Sequence, residues 1–341
     1  MPTKRSKATW LAAPFWNRQE RRIRACWRVA IQLACYLIAQ LSPTYLIGDR
    51  HDSNSLIWVG PVPFTHQSVF IFLGMLAILI TTWIIGVLID RRPFSQFGFQ
   101  MGRQWWLDLL AGLLLGSLLM TLIFLVEWSL GWVEVTGVFQ VHRIGIPFAA
   151  ALLSPLLLFT AVAIQEELLA RGYQIRNLAE GLHFAPINER VAILFGSLLS
   201  SGLFSWLHLN NPNVSWTSTF TIGLAGFFLS VGYILSGRLG VSIGLHFTWN
   251  LFQGTVFSFP VSGNKFDQVS VIAIKQGGPT LWTGGAFGPE AGLLGVIAMI
   301  LGSLLIVWWI YQQEYHVALY RPLANYDSHR SIVEQKLRQH A

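Results

Sequence analysis

The sequence predicts an all-α, polytopic membrane protein: a bundle of about eight transmembrane helices with an intramembrane polar site. Three observations carry that expectation. Of 341 residues, 53% are hydrophobic and only 11% charged. The apolar residues gather into runs of roughly 17 to 24, long enough to cross about 30 Å of hydrocarbon. Carboxylates, histidines and an asparagine stand inside or at the edges of those runs, where ionisable groups are costly enough to mark function. Such a composition excludes a soluble core and a disordered chain alike.

Residues 1–28 hold Lys4, Arg5, Lys7, Arg18, Arg21, Arg22, Arg24 and Arg28 against the single acid Glu20, with Trp10, Phe15, Trp16 and Trp27 between them. This pattern reads as a basic tail resting on an anionic membrane surface. No small-residue cleavage pattern follows the first apolar run, so no cleaved signal peptide is expected. The spans are read at 29–47, 68–89, 107–128, 146–165, 191–207, 217–236, 240–259 and 291–313. With the N-terminus inside, nineteen of the 23 lysines and arginines fall on inner segments. Both termini are therefore expected in the cytoplasm of a cell-membrane protein. The net charge of +7 borders spans and does not build a basic domain, so membrane lipids are the expected partners and nucleic acid is not.

Between the first two spans, Asp49, His51, Asp52 and His66 resemble a metal-binding set only as any polar loop does. Asp90-Arg91-Arg92 through Trp105-Trp106 reads as a belt of snorkelling arginines and interfacial aromatics. Gly112 and Gly116 form a small-residue packing face on the third span. Glu127 and Glu134, at its outer end, are expected to be hydrated and carry no chemistry. Cys26 and Cys35 exclude a disulfide framework and a thiolate metal site. Gly240-Val241-Ser242-Ile243-Gly244 matches a nucleophile-elbow pattern, but that motif needs a strand before it and here it opens an apolar helix, so a packing face is the better reading. Residues 260–290 form a Gly-rich outer loop, 291–313 the last span and 314–341 a polar cytoplasmic tail.

Three polar elements remain. Glu166 and Glu167 close the fourth run, and Arg171 stands four residues after Glu167, on its helix face, leaving Glu166 turned elsewhere. Phe204 and His208 end the fifth run. His246 and Asn250, also four apart, share a face of the seventh. A carboxylate, two imidazoles and a carboxamide form the set that activates water and stabilises an oxyanion. The spans as drawn place Glu166 near the inner edge and His208 about 26 Å along its helix, near the outer one. On that placement the two would not share a water.

The ordered triple Glu166-Glu167-xxx-Arg171, Phe204-xxx-His208 and His246-xxx-Asn250 resembles the signature motifs of the CPBP family, intramembrane proteases related to the type II CAAX prenyl endopeptidase that include bacteriocin-processing and self-immunity proteins. The resemblance covers about 146–259, which it marks as the catalytic core behind the N-terminal helices of 29–145. It implies that Glu166 is the general base, that His208 positions or activates the water, and that His246 with Asn250 stabilises the oxyanion. Glu167 and Arg171 would be support and Phe204 part of the site wall. The implied substrate is a membrane-associated peptide or a lipidated, CAAX-type protein. A non-catalytic adaptor or self-immunity protein that keeps the pocket is the alternative. Glu166, His208 and His246 would also make a His₂Glu set compatible with zinc. A metal-free glutamate mechanism is favoured because Asn250 is a good oxyanion donor and a poor zinc ligand.

Overall fold

The computed structural model describes residues 14–18, 20–47, 56–59, 62–142, 145–266 and 268–326, the side chains of 41–47 excepted. Eight principal helices follow the apolar runs: α1 Ala25–Ile47, α2 His66–Asp90, α3 Arg103–Ser129, α4 Phe148–Leu182, α5 Glu189–Leu207, α6 Trp216–Ser236, α7 Gly240–Leu251 and α8 Leu293–Glu314. Local chemistry sets their ends. Thr65 and Asn188 cap α2 and α5 by accepting the N–H of Ser68 and Val191, and Ser215 and Ser218 form a reciprocal capping box on α6.

The helical membrane class is as expected, and among the described residues six helices are long and apolar enough to cross a membrane, so eight spans are not confirmed. The other two are α1, whose described apolar part is Ala25–Gln40, and α7, whose 12 residues are continued by a π-helical turn over Phe252–Val256. The shortness of α7 has a packing reason. It is buried along almost its whole length among other helices, so its own length need not match a bilayer.

The glycine pairs account for how α7 is held. A Cβ at Gly112 or Gly116 of α3 would collide with the carbonyls of Val241 or Leu245, and a Cβ at Gly240 or Gly244 of α7 with those of Trp105 or Leu109. The two faces read separately from the sequence thus pack on each other, backbone to backbone. Ser242, between Gly240 and Gly244 in sequence, is fully buried and donates to Leu229 O of α6 at 2.7 Å, which leaves no room for a nucleophile there. Leu110, Leu114, Leu118 and Leu122 line an exposed stripe of α3, a face suited to lipid.

At one end of the bundle the loops carry two ribbons. The shorter pairs β1 Leu56–Val59 with β2 Val62–Thr65. The longer pairs β3 Val133–Val141 with β4 Val269–Gln276, setting Glu134 opposite Lys275. Part of the expected Gly-rich loop is therefore a strand. Beside the ribbon, Glu127 is not hydrated as expected. It is fully buried and accepts from Gln276 Nε2 at 3.0 Å.

The opposite end also departs from expectation. Arg22, Arg28 and Arg92, read as surface or snorkelling residues, are buried around Glu180 at 2.6, 3.3 and 2.5 Å. Arg28 also pairs with Asp90 at 2.7 Å, and Asp90 accepts from the Tyr173 hydroxyl at 2.6 Å. Buried guanidiniums need counter-charges, and α4 and the end of α2 supply them. Asp49, His51 and Asp52 lie outside the described residues, as do residues 1–13 and 327–341.

Candidate active site

The hydropathy boundary at Gln165 is not the end of a helix. α4 runs unbroken for 35 residues, roughly 50 Å, and Glu166 lies near its middle. The helix continues because the polar residues after Glu166 find partners inside the protein and need no water. Over Leu168–Ile175 it widens into a π-helix, a form often found at functional sites. With Glu166 deep in the bundle and His208 at the C-terminal cap of α5, the separation drawn from the sequence disappears. Glu166, His208, His246 and Asn250 all line one cavity of about 290 Å³.

The adjacent glutamates differ sharply. Glu167 is fully buried and accepts from Arg171 at 2.9 Å and from His246 Nδ1 at 2.7 Å. Arg171 in turn donates to Gly226 O at 2.8 Å and lies over the Phe204 ring at 4.6 Å. Glu166 is 18% exposed, and His246 Nε2 lies 3.9 Å from its Oε2, beyond hydrogen-bond reach. One carboxylate is locked; its neighbour is free to hold a water.

Hydrogen bonding also fixes which ring nitrogens are available. Glu167 Oε1 accepts from Arg171 and lies against His246 Nδ1, so Nδ1 is the donor in that bond and Nε2 is left toward Glu166. His208 Nδ1 lies 2.8 Å from Phe204 O, a pure acceptor, so there too Nδ1 donates and Nε2 is left. Phe204 packs against His208 at 4.6 Å between centroids. Asn250 lines the cavity one turn beyond His246, and its carboxamide has no hydrogen-bond partner among the described residues. All seven residues singled out in the sequence are thus in one neighbourhood.

Several residues of the same cavity were not foreseen. Tyr36 of α1 lines it, and Gln40, one turn on, donates to Gln165 beside Glu166 at 3.4 Å. From the ribbon-end loops come Asn211, Ser262, Asn264 and Glu290. Glu290 is buried, and burial pushes its carboxyl up to about 7. The Glu167 to His246 bond was also missed, because spacing on one helix does not reveal a partner on another. As for a metal, among the described residues no group of three His, Cys, Asp or Glu is placed to hold one ion.

Residues 148–252 match a family model described as Type II CAAX prenyl endopeptidase Rce1-like. No curated protein and no solved structure matches the chain. The matched stretch contains every one of the seven residues and the whole of α4, α5 and α6.

Proposed function

Because the chain belongs to the CPBP family of membrane proteases, we propose that it is an intramembrane endopeptidase that hydrolyses a peptide bond of a membrane-associated substrate with water activated by Glu166. The observation that carries this reading is the contrast within the Glu166-Glu167 pair: the buried Glu167 accepts from both Arg171 and His246 through Oε1, while Glu166 faces a cavity it shares with two histidines and a free carboxamide.

Each group has a chemical task. Glu166 takes a proton from a water held with His208 Nε2, and the oxygen attacks the scissile carbonyl. The oxyanion accepts hydrogen bonds from Asn250 Nδ2 and from Nε2–H of protonated His246. Glu167 keeps the His246 ring oriented through Nδ1, and Arg171 keeps Glu167 in place, so the donor is aimed before the substrate arrives. Collapse of the tetrahedral intermediate breaks the C–N bond, and the carboxyl proton on Glu166 passes to the leaving amine. Water and one peptide bond give one acid and one amine.

Replacing Glu166 by Gln tests this directly. Turnover of membrane peptides by purified protein should fall about a hundredfold or more, with unchanged folding. Persistence of the chain's biological effect in the Glu166→Gln variant at normal protein levels would return it to the adaptor or self-immunity reading. Metal removal separates the two water-activating chemistries. Exhaustive chelation, checked by elemental analysis, should leave the cleavage rate within about twofold if the glutamate alone is the base.

A further inference from the structure

The residues on either side of Glu166 tie α4 to two different helices. Gln165, Glu166 and Glu167 lie in the α-helical part of α4, where successive side chains turn by about 100°. Glu167 accepts from His246 of α7, and the buried Gln165 accepts from Gln40 of α1 at 3.4 Å. Glu166 therefore points into the space between α1 and α7, and each of these helices brings one ring to the cavity wall, His246 from α7 and Tyr36 from α1. α1 lies outside the stretch matched by the family model, so the match gives no role to Tyr36.

Tyr36 places a hydroxyl where a phenylalanine would fill the wall as well. Its ring stands within electrostatic reach of Glu166, and its hydroxyl interacts with the carboxamide of Gln40, one turn along α1. A phenol oxygen that accepts from a carboxamide still has its own proton to donate. Glu166 has the complementary need. A carboxylate offers about four acceptor sites. Among the described residues none donates a hydrogen bond to this one, His246 Nε2 being 3.9 Å away. Other donors on the wall are turned elsewhere: Asn211 and Asn264 donate to the Ser262 carbonyl at 2.9 and 3.2 Å. Asn250 and His246 serve the oxyanion in the reaction proposed above, and His208 serves the water. The flank of Glu166 that faces α1 is left to Tyr36. Gln40 joins the two, since it touches the Tyr36 hydroxyl and holds Gln165.

We propose that Tyr36 is a positioning residue for Glu166: its hydroxyl donates, through one bridging water, to the carboxylate oxygen turned away from the reacting water, while Gln40 keeps that hydroxyl and α4 in register. A bridging water transmits such a bond nearly as well as direct contact. Glu166 then meets its reacting water in a fixed orientation. The effect on turnover rests on the hydrolase reading given above; the coupling between Tyr36 and Glu166 is a property of the site that binding alone reports.

The test uses the full chain in nanodiscs and a fluorescent apolar peptide, with analogues in which a hydroxyethylene group replaces one amide at successive positions. Binding is read by anisotropy and cleavage by mass spectrometry, on the wild type, Tyr36→Phe, Glu166→Gln and the double variant. In the wild type one register of the hydroxyl peptide should bind about tenfold more tightly than its parent, because the hydroxyl donates to Glu166. Tyr36→Phe should cut that gain to about twofold, leave binding of the parent and the melting temperature unchanged, and lower kcat about tenfold at constant KM. With Glu166→Gln already present, Tyr36→Phe should cost nothing further, the mark of a residue that acts through another. The proposal is overturned if no register gains in the wild type, if Tyr36→Phe keeps the full gain or weakens the parent equally, or if its loss is as large beside Glu166→Gln as in the wild type. Should Tyr36→Phe not fold, Gln40→Leu takes its place in the cycle with the same loss expected and the same outcomes against it. Peptides that bind in this pattern but are not cut in a Glu166-dependent way would sink the hydrolase reading and leave the coupling standing.

Discussion

Glu167 shows how a single side chain sets the roles of its neighbours. It accepts from one cation on its own helix and one ring on another, so its removal does two separable things. Glu167→Ala would strand the buried Arg171 charge, an effect of about 3–5 kcal/mol, and should lower the melting temperature by several degrees. In whatever fraction stays folded, His246 would lose its orientation, and cleavage should drop with kcat affected more than KM. Glu290 makes a different prediction at the same scale. Its carboxyl is raised in the folded chain to about 7 from an ordinary value of 4.5, so the folded state binds the proton more tightly. Its contribution is therefore most favourable below about 4.5, declines as pH rises toward 7 and levels off above. Melting temperatures recorded from pH 5 to pH 8 should fall with this slope in the wild type, and the slope should flatten in Glu290→Gln.

Among the elements, α7 is placed by contact between backbones, and this contact sets where His246 and Asn250 stand. Gly244→Leu would drive α3 and α7 apart at a point of backbone contact, moving the imidazole away from Glu166 two residues on. Overpacking of this kind destabilises by about 1–3 kcal/mol or more. Cleavage should be lost in Gly244→Leu, while Gly223→Ala, at a glycine with space around it, should be close to neutral in the same assay. Element existence was largely legible from the sequence because hydropathy reports burial in lipid or protein. What it misreported were places where polar residues are satisfied internally. The apolar count stopped at Gln165, yet Glu167, Arg171 and Tyr173 continue α4 because each has a partner within the fold. The strand β3 was overlooked although Val133-Glu134-Val135-Thr136 alternates with period two, the one local signal that pointed to it. β4 sat in a stretch bounded by glycines and read as turns.

At the scale of the whole molecule, the motif order from Glu166 to Asn250 was enough to gather the seven residues into one neighbourhood, since each spacing fixes which side chains share a helix face. Depth was not legible that way. It depends on how far each helix extends past its apolar run, and on tertiary partners such as Glu180 that no local pattern announces. Glu290 was out of reach for the same reason: a carboxylate beside Gly288-Pro289 looks like a solvated turn until the fold closes Ser262 and Gln253 over it. The site is thus assembled from α4, α5 and α7, bordered by a helix from the N-terminal half and by loops from the C-terminal third.

The hub around Glu180 has a consequence for how the chain meets its surroundings. Arg22 belongs to the segment before α1, Arg92 to the loop after α2 and Glu180 to the far end of the rod that bears Glu166, and all three are sealed from solvent. Ions in the medium screen exposed charges over distances of about 10 Å at 0.1 M but reach enclosed pairs poorly. Brine strong enough to peel an adsorbed basic peptide from acidic lipid would therefore leave this knot tied, and the leading segment would stay moored to the protein after it had let go of the bilayer.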